Sequence, residues 1–370
     1  MRRIALSLVV MAVAATQSLI STRAAGLYFP PAAGEWARVQ PSAAGWDERA
    51  LNAALDYAGT TNSSGVVVLL DGRILAERRW PVTTGDRYSP MVVGKTAGGD
   101  AVEDVASAQK SVVAFLAGVS EGKRQLDLSV PVDRYLGKGW SKAPAAAEAA
   151  ITVRHLMTMT SGLNDAGSYQ VPAGQAWRYN TGMYSRMIGI LEKAAGSGIE
   201  KLTEEWLTKP AGMSDSKWVR RPWSAGNDAA NTIGFATTAR DLARFGLLVL
   251  AQGSWNGRDL LQNAGYLERM LKTSQDLNPS YGLLWWLNGQ ARVQRPDQAQ
   301  ATPGSLIPAA PRDLVAAQGA MDRKCYVVPS LGLVVTRLGA PTGTNPALDL
   351  KWDDDFWKLL IKAAPSAGNK

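Results

Sequence analysis

The sequence predicts an α+β fold in which an antiparallel sheet is built from both ends of the chain, flanked by helices, with a helical insert between. Strand-like runs stand near the start (Val66 to Leu70, then Ile74 to Glu77) and return near the end (Leu314 to Ala317, Cys325 to Val328, Leu333 to Leu338). Between them, Ser107 to about Asn231 is mostly helical, broken by Gly and Pro. The 370 residues suffice for one large or two ordinary domains. The expected division is a leader at residues 1–25, a discontinuous sheet domain at 26–100 and 235–370, and a mainly helical domain at 101–234.

The elements follow in order. Met1-Arg2-Arg3 and the apolar run Ile4 to Ala15 have the charge and length of a secretory signal peptide, so a periplasmic or secreted location is expected. Gly26 to Gly45 is an extended, Pro- and Gly-rich entry, and Trp46 to Tyr57 is a short amphipathic helix. Asp71-Gly72 between two apolar runs signals a hairpin. Residues 81–102 are loop-like. Gly94-Lys95-Thr96 within them lacks the leading glycine of a phosphate loop, since position 89 is Ser89, and it opens no helix. Ile151 to Met157 starts a helix capped by Thr152, with His155 as a packed structural residue. Residues 236–252 form a second amphipathic helix, Tyr281 to Leu287 a strand and Arg292 to Pro311 a polar loop. Trp352 to Ile361 closes the chain as a helix with Asp353, Asp354 and Asp355 in its first turn.

Composition narrows the function classes. The net charge of +8 is scattered and interleaved with acids, so no nucleic-acid arm is expected. One cysteine, Cys325, and one histidine, His155, exclude an internal disulfide framework and a Cys/His zinc site. No metal or organic cofactor is expected. Past the leader, no stretch approaches the ~20 apolar residues of a membrane span. No Gly-x-Ser-x-Gly elbow exists, so a hydrolase built from this sequence needs a base other than histidine.

Ser107-Ala108-Gln109-Lys110 supplies one. Three residues apart on a helix, Ser107 and Lys110 share a face. Val112, Phe115, Leu116 and Val119 follow at helical spacing, so the helix is buried there. A lysine in that apolar setting resists protonation and can take the serine's proton. The same spacing at Ser120/Lys123 and Ser214/Lys217 leads into no apolar helix. The bland reading of Ser107/Lys110 is an ordinary helix start.

The chain resembles the serine β-lactamase, penicillin-binding protein and carboxylesterase superfamily, nearest its class C-like branch. Four stretches carry the resemblance in the family's order. They are Ser107-Ala108-Gln109-Lys110; Ile151-Thr152-Val153-Arg154-His155-Leu156 leading into Thr160-Ser161-Gly162-Leu163; Trp177-Arg178-Tyr179-Asn180-Thr181-Gly182-Met183-Tyr184; and Tyr326-Val327-Val328-Pro329 with Leu333-Val334-Val335. The resemblance implies a β-lactamase/transpeptidase-like fold. Two motifs depart from it. Tyr179-Asn180-Thr181 stands where the family has Tyr-x-Asn, and Ala317-Gln318-Gly319 stands for Lys-Thr-Gly or His-x-Gly, so a cation is lost.

What the resemblance implies is a serine hydrolase with Ser107 as nucleophile, Lys110 as base and Tyr179 as proton carrier. The backbone N–H groups of Ser107 and Ala320 form its oxyanion hole, and Thr181, Gln318 and Gly319 contact substrate. Loss of the cation favours small esters or uncharged amides; β-lactams or cell-wall D-alanyl peptides are the alternative small-molecule substrates. Arg323 and Lys324 are the nearby cations that could compensate, though compensation is not expected. A non-catalytic scaffold that kept the fold is the remaining alternative.

Overall fold

The computed structural model describes residues 26–82, 89–224, 231–343 and 350–365; the expected leader lies outside them. Helix α1, Glu48–Thr60, begins where Asp47 accepts from Ala50 N, and it buries Leu51, Ala54, Leu55 and Ala58. Strands β1, Ser63–Leu70, and β2, Arg73–Arg79, form the expected hairpin. Asp71 (φ 47°) and Gly72 (φ 85°) supply the two left-handed residues such a turn needs. A side chain at Gly72 would run into the carbonyl of Tyr28, 1.9 Å from its Cβ position.

Residues 81–102, expected as loop, instead contribute two strands, β3 (Val92–Lys95) and β4 (Ala101–Asp104). Gly94-Lys95-Thr96 runs along an edge strand into a turn. The polar, glycine-rich composition misled because these strands pair in a small separate sheet. A single 3-10 turn, Ala106–Ala108, then leads into α2, Gln109–Gly122. Helix α3, Val153–Met157, is capped by Thr152, and His155 Nδ1 accepts from Thr152 N at 3.1 Å. His155 is thus a capping residue. Helix α4, Thr181–Ala195, follows. Strands β5 (Lys217–Arg220) and β6 (Ile233–Thr237) complete the small sheet in the order β3-β4-β6-β5.

Helix α5, Ala239–Leu250, is capped by Thr238. The strand expected at Tyr281 to Leu287 shrinks to β7, Trp286–Leu287, because Leu284 turns left-handed (φ 59°) and breaks the run. The polar loop 292–311 contains a two-residue ladder, Arg292–Val293 with Thr302–Pro303. Strands β8 (Val315–Gly319), β9 (Arg323–Val328) and β10 (Leu333–Gly339) precede the closing helix α6, Leu350–Ala363.

The main sheet runs β2-β1-β10-β9-β8-β7, antiparallel throughout. Register β1–β10 (Val67 opposite Thr336) joins the two chain ends. Helices α1 and α6 pack on each other and α1 on β1, whereas α5 packs on β9 and β10. Covered on both faces, β1 reads as a continuous apolar run. Asp353 does more than face the dipole of α6. Fully buried, it binds Lys324 Nζ at 3.1 Å and the Tyr326 hydroxyl, tying α6 to the sheet.

Two glycines within helices separate packing from propensity. A Cβ on Gly246 of α5 would stand 2.5 Å from Val334 Cγ1 and 2.9 Å from Cys325 Sγ. On Gly189 of α4 the nearest atom is Leu136 Cδ2 at 3.5 Å, an ordinary contact. Helix propensity favours Ala over Gly by ~1 kcal/mol, while overpacking costs ~1–3 kcal/mol. Gly189→Ala should therefore raise the urea midpoint at unchanged m-value, and Gly246→Ala should lower it.

Candidate active site

The site is built on the start of α2. Ala106 takes a left-handed conformation (φ 51°), held by its N–H donating to Asp104 Oδ1 at 2.9 Å. That kink turns the chain from β4 into the 3-10 turn and leaves Ser107 partly open to solvent. Lys110, one turn on, is 2% exposed, and its Nζ lies 2.9 Å from Ser107 Oγ and 3.3 Å from Thr181 Oγ1. The rings of Tyr179 and Tyr184 flank the amine, with centroids 4.9 and 4.6 Å away.

Burial pulls the Lys110 pKa down to about 7, the Arg221 guanidinium pushes the same way, and Asp165 opposes both. The amine is thus substantially neutral at neutral pH and within reach of the serine proton. Burial holds the Tyr179 phenol well above its usual pKa range, with the Ser107 side chain pulling the other way, so it stays protonated. Its ring stacks on Trp286 (centroids 5.9 Å, 20°) and meets Trp177 and Tyr281. Trp177, Trp285 and Trp286 are all buried, so they support the site from within the core.

The remaining motifs act as framework. Asn180 caps α4 by accepting from Met183 N at 2.9 Å, and its Nδ2 donates to Leu163 O at 2.8 Å. Arg178 N donates to Met159 O at 2.9 Å. The segment after α3 therefore seats Tyr179. The Thr181 hydroxyl, expected on the substrate, faces Lys110.

Gly319 lies against the Ser107 turn. A Cβ there would stand 2.1 Å from Val105 O and 3.2 Å from Ser107 N, so only glycine lets β8 come this close. Ala320 follows, partly exposed. Gln318 is 3% exposed with neither amide atom hydrogen-bonded, and it stands opposite Lys324 in the β8–β9 register. Neither candidate replacement for the lost cation is exposed to solvent. Arg323 is fully buried 3.5 Å from Glu103, and Lys324 is buried between Asp353 and Asp322.

Several residues of the site carry no local signal in the sequence. Arg221 binds Asp104 through Nε and Nη2, both at 2.7 Å, and Gln109 Oε1 at 2.9 Å. Gln109 also accepts from Phe235 N and donates to Ile233 O and the Tyr184 hydroxyl, pinning α2 to β6. Asp165 accepts from Thr181 N at 3.2 Å and pairs with Arg178 at 3.1 Å. Only the Asp two residues before Ala106 offered a cue, as an Asx turn. Among the described residues no cluster of His, Cys, Asp and Glu could hold a metal, and no helix is long and apolar enough to cross a membrane.

Ser107 and Lys110 at the head of a buried helix, facing a glycine-lined strand, stand on a β-lactamase/transpeptidase fold. The β-lactamase family model matches residues 48–350, and the chain belongs to that family. Its members are serine hydrolases. Solved structures share the fold at low identity. A provisionally assigned beta-lactamase from Bacteroides dorei DSM 17855 is 17% identical with TM-score 0.64, over 86% of this chain and 99% of that one. A provisionally assigned 6-aminohexanoate-dimer hydrolase from Bacillus anthracis is 15% identical with TM-score 0.61, over 92% and 91%. A class C beta-lactamase is 17% identical with TM-score 0.59, over 86% and 95%. No curated protein sequence matches.

The lysine's protonation can be read without a substrate. Lowering its pKa from 10.5 to about 7 corresponds to a folding penalty on the order of 5 kcal/mol, at ~1.4 per unit. The unfolded chain binds the proton up to pH 10.5, so the penalty is full below pH 7 and fades as pH rises from 7 to 10.5. Lys110→Met should therefore be more stable than wild type in denaturant titrations at pH 6. Its advantage should shrink steadily toward pH 10; a pH-independent difference contradicts the neutral-amine assignment.

Proposed function

We propose that this chain is an exported serine hydrolase that forms an acyl-enzyme on Ser107 and hydrolyses small esters or uncharged amides. The observation that carries the reading is the 2.9 Å contact between Ser107 Oγ and a buried Lys110 whose pKa lies near 7. Neutral Lys110 takes the serine proton as Oγ attacks the carbonyl carbon. The oxyanion is received by the N–H groups of Ser107 and Ala320. Tyr179 passes a proton to the leaving group as it departs and is reprotonated from Lys110. Water then attacks the acyl-enzyme with the same groups working in reverse, which releases the acid and restores Ser107.

The substrate class rests on charge. Arg323 and Lys324, the cations nearest the altered third motif, are buried and ion-paired, so neither is available to a substrate carboxylate. β-Lactam or D-alanyl peptide turnover is the second reading, supported by the family match. A non-catalytic scaffold would have no need to keep an amine dry beside a hydroxyl. Export rests on the basic start and the apolar run from Ile4 to Ala15.

A fluorophosphonate probe should label the wild type and leave Ser107→Ala unlabelled; equal labelling refutes the nucleophile. On short p-nitrophenyl esters, Tyr179→Phe should lower kcat by ~10²–10⁴. Strong nitrocefin turnover with negligible esterase activity would reverse the order of the two substrate readings. For the preferred ester, kcat/KM should rise through an inflection near pH 7. Arg221→Gln should move that inflection up and Asp165→Asn down, because each removes a charge acting on Lys110 with the opposite sign.

A further inference from the structure

The turn after the glycine strand is strained. Met321 (φ 58°) and Asp322 (φ 59°) are consecutive non-glycine residues in the left-handed region, each costing about 1–3 kcal/mol unless its surroundings impose it. Three carbonyls in a row are held there by buried guanidinium groups. Arg323 Nη1 donates to Ala320 O at 3.1 Å. Arg337 Nη1 donates to Met321 O at 2.9 Å and Asp322 O at 3.2 Å. Both arginines are fully buried.

We propose that Arg323 and Arg337 are positioning residues for the oxyanion hole, clamping Ala320-Met321-Asp322 so that the N–H of Ala320, next after the Gly319 that packs against Ser107 N, is held in place. The inference rests on the acyl-enzyme reading above and goes beyond it by assigning what fixes the second donor. Arg337 is anchored to β1 and its surroundings through Ser63 Oγ (3.0 Å), Thr61 O (3.0 Å) and Ala340 O (2.7 Å). The Asp322 carboxylate adds Thr342 N (3.1 Å) and Thr342 Oγ1 (2.7 Å). Arg323 pairs with Glu103, which also accepts from Ser64 Oγ.

Glu103 is the neighbour of Asp104 on β4, and the two carboxylates divide the labour. Asp104 holds Ala106 and, through it, the Ser107 N–H. Glu103 holds Arg323 and, through it, the Ala320 turn. One strand thus sets the separation of both donors, and an oxyanion hole depends on that separation to fractions of an ångström.

The test compares wild type with Glu103→Gln/Arg323→Gln, which leaves no lone buried charge, and with Arg323→Lys. Lysine is a single point donor and cannot bridge Glu103 and Ala320 O as a guanidinium does. On p-nitrophenyl acetate the double variant should lose about 10²-fold in kcat, the range for one oxyanion donor. KM and the pH inflection of kcat/KM should stay put. Arg323→Lys should fall between the two enzymes. Wild-type kcat in the folded double variant, or a loss carried by KM alone, overturns the proposal. Should the double variant fail to fold, Arg323→Lys decides alone: a fall in kcat at fixed KM supports the clamp and an unchanged kcat removes it. Fluorophosphonate separates the layers. Labelling that survives Ser107→Ala sinks the acyl-enzyme reading, whereas Ser107 labelling at wild-type rate in both Arg323 variants sinks only the clamp.

Discussion

Keeping the Lys110 amine out of water is the constraint on which the other features depend. An exposed lysine carries its proton to pH 10.5 and is useless as a base at neutrality. Burial between two tyrosines, with Arg221 contributing repulsion, brings it to about 7. That displacement opposes folding by several kcal/mol, comparable to the whole net stability of an ordinary domain. It persists only because the surroundings are over-determined. Gln109 makes four hydrogen bonds that fasten α2 to β6, to Tyr184 of α4 and to Arg221. The helix beyond it is apolar from Val112 to Val119 and fully enclosed.

Strain is distributed around the same point. Ala106 on one side and Met321 with Asp322 on the other occupy left-handed conformations without being glycine. Each is fixed by charged groups: Asp104 with Arg221, and Arg323 with Arg337. Glycine at these places would adopt the geometry more easily but hold it less firmly, since its unfolded chain has more freedom to lose. Where close approach matters more than stiffness, at Gly319, the chain does use glycine.

Much of this was legible in the sequence because it is local. The Asp71-Gly72 hairpin, the Thr152 cap, the apolar face of α5 and the Ser107/Lys110 spacing each depend on residues within a few positions. Failures came where partners are distant. Arg221 sits 117 positions from Asp104, and no periodicity reports that. The small sheet was missed because β3 and β4 are four residues each and polar at the edge. Tyr281 to Leu287 looked like one strand because large apolar side chains are shared by strands and by buried irregular chain; Leu284 alone breaks it.

The lost cation shows why neighbours in sequence can mislead. Arg323 and Lys324 come only a few residues after Ala317-Gln318-Gly319, and by position either could stand in. On a strand, however, successive side chains leave by opposite faces. Lys324 and Tyr326 share the face toward α6, where Asp353 waits, while Cys325 turns toward α5 and lies beside Gly246. Arg323, at the strand's first position, is drawn inward to Glu103 and to the carbonyl of Ala320. Both positive charges are therefore neutralised inside the protein, and withdrawing either would leave an unpaired buried carboxylate at a cost of ~3–5 kcal/mol. Neither cation is therefore free to meet a further carboxylate without that cost, which is the charge argument behind the proposed preference for neutral acyl groups.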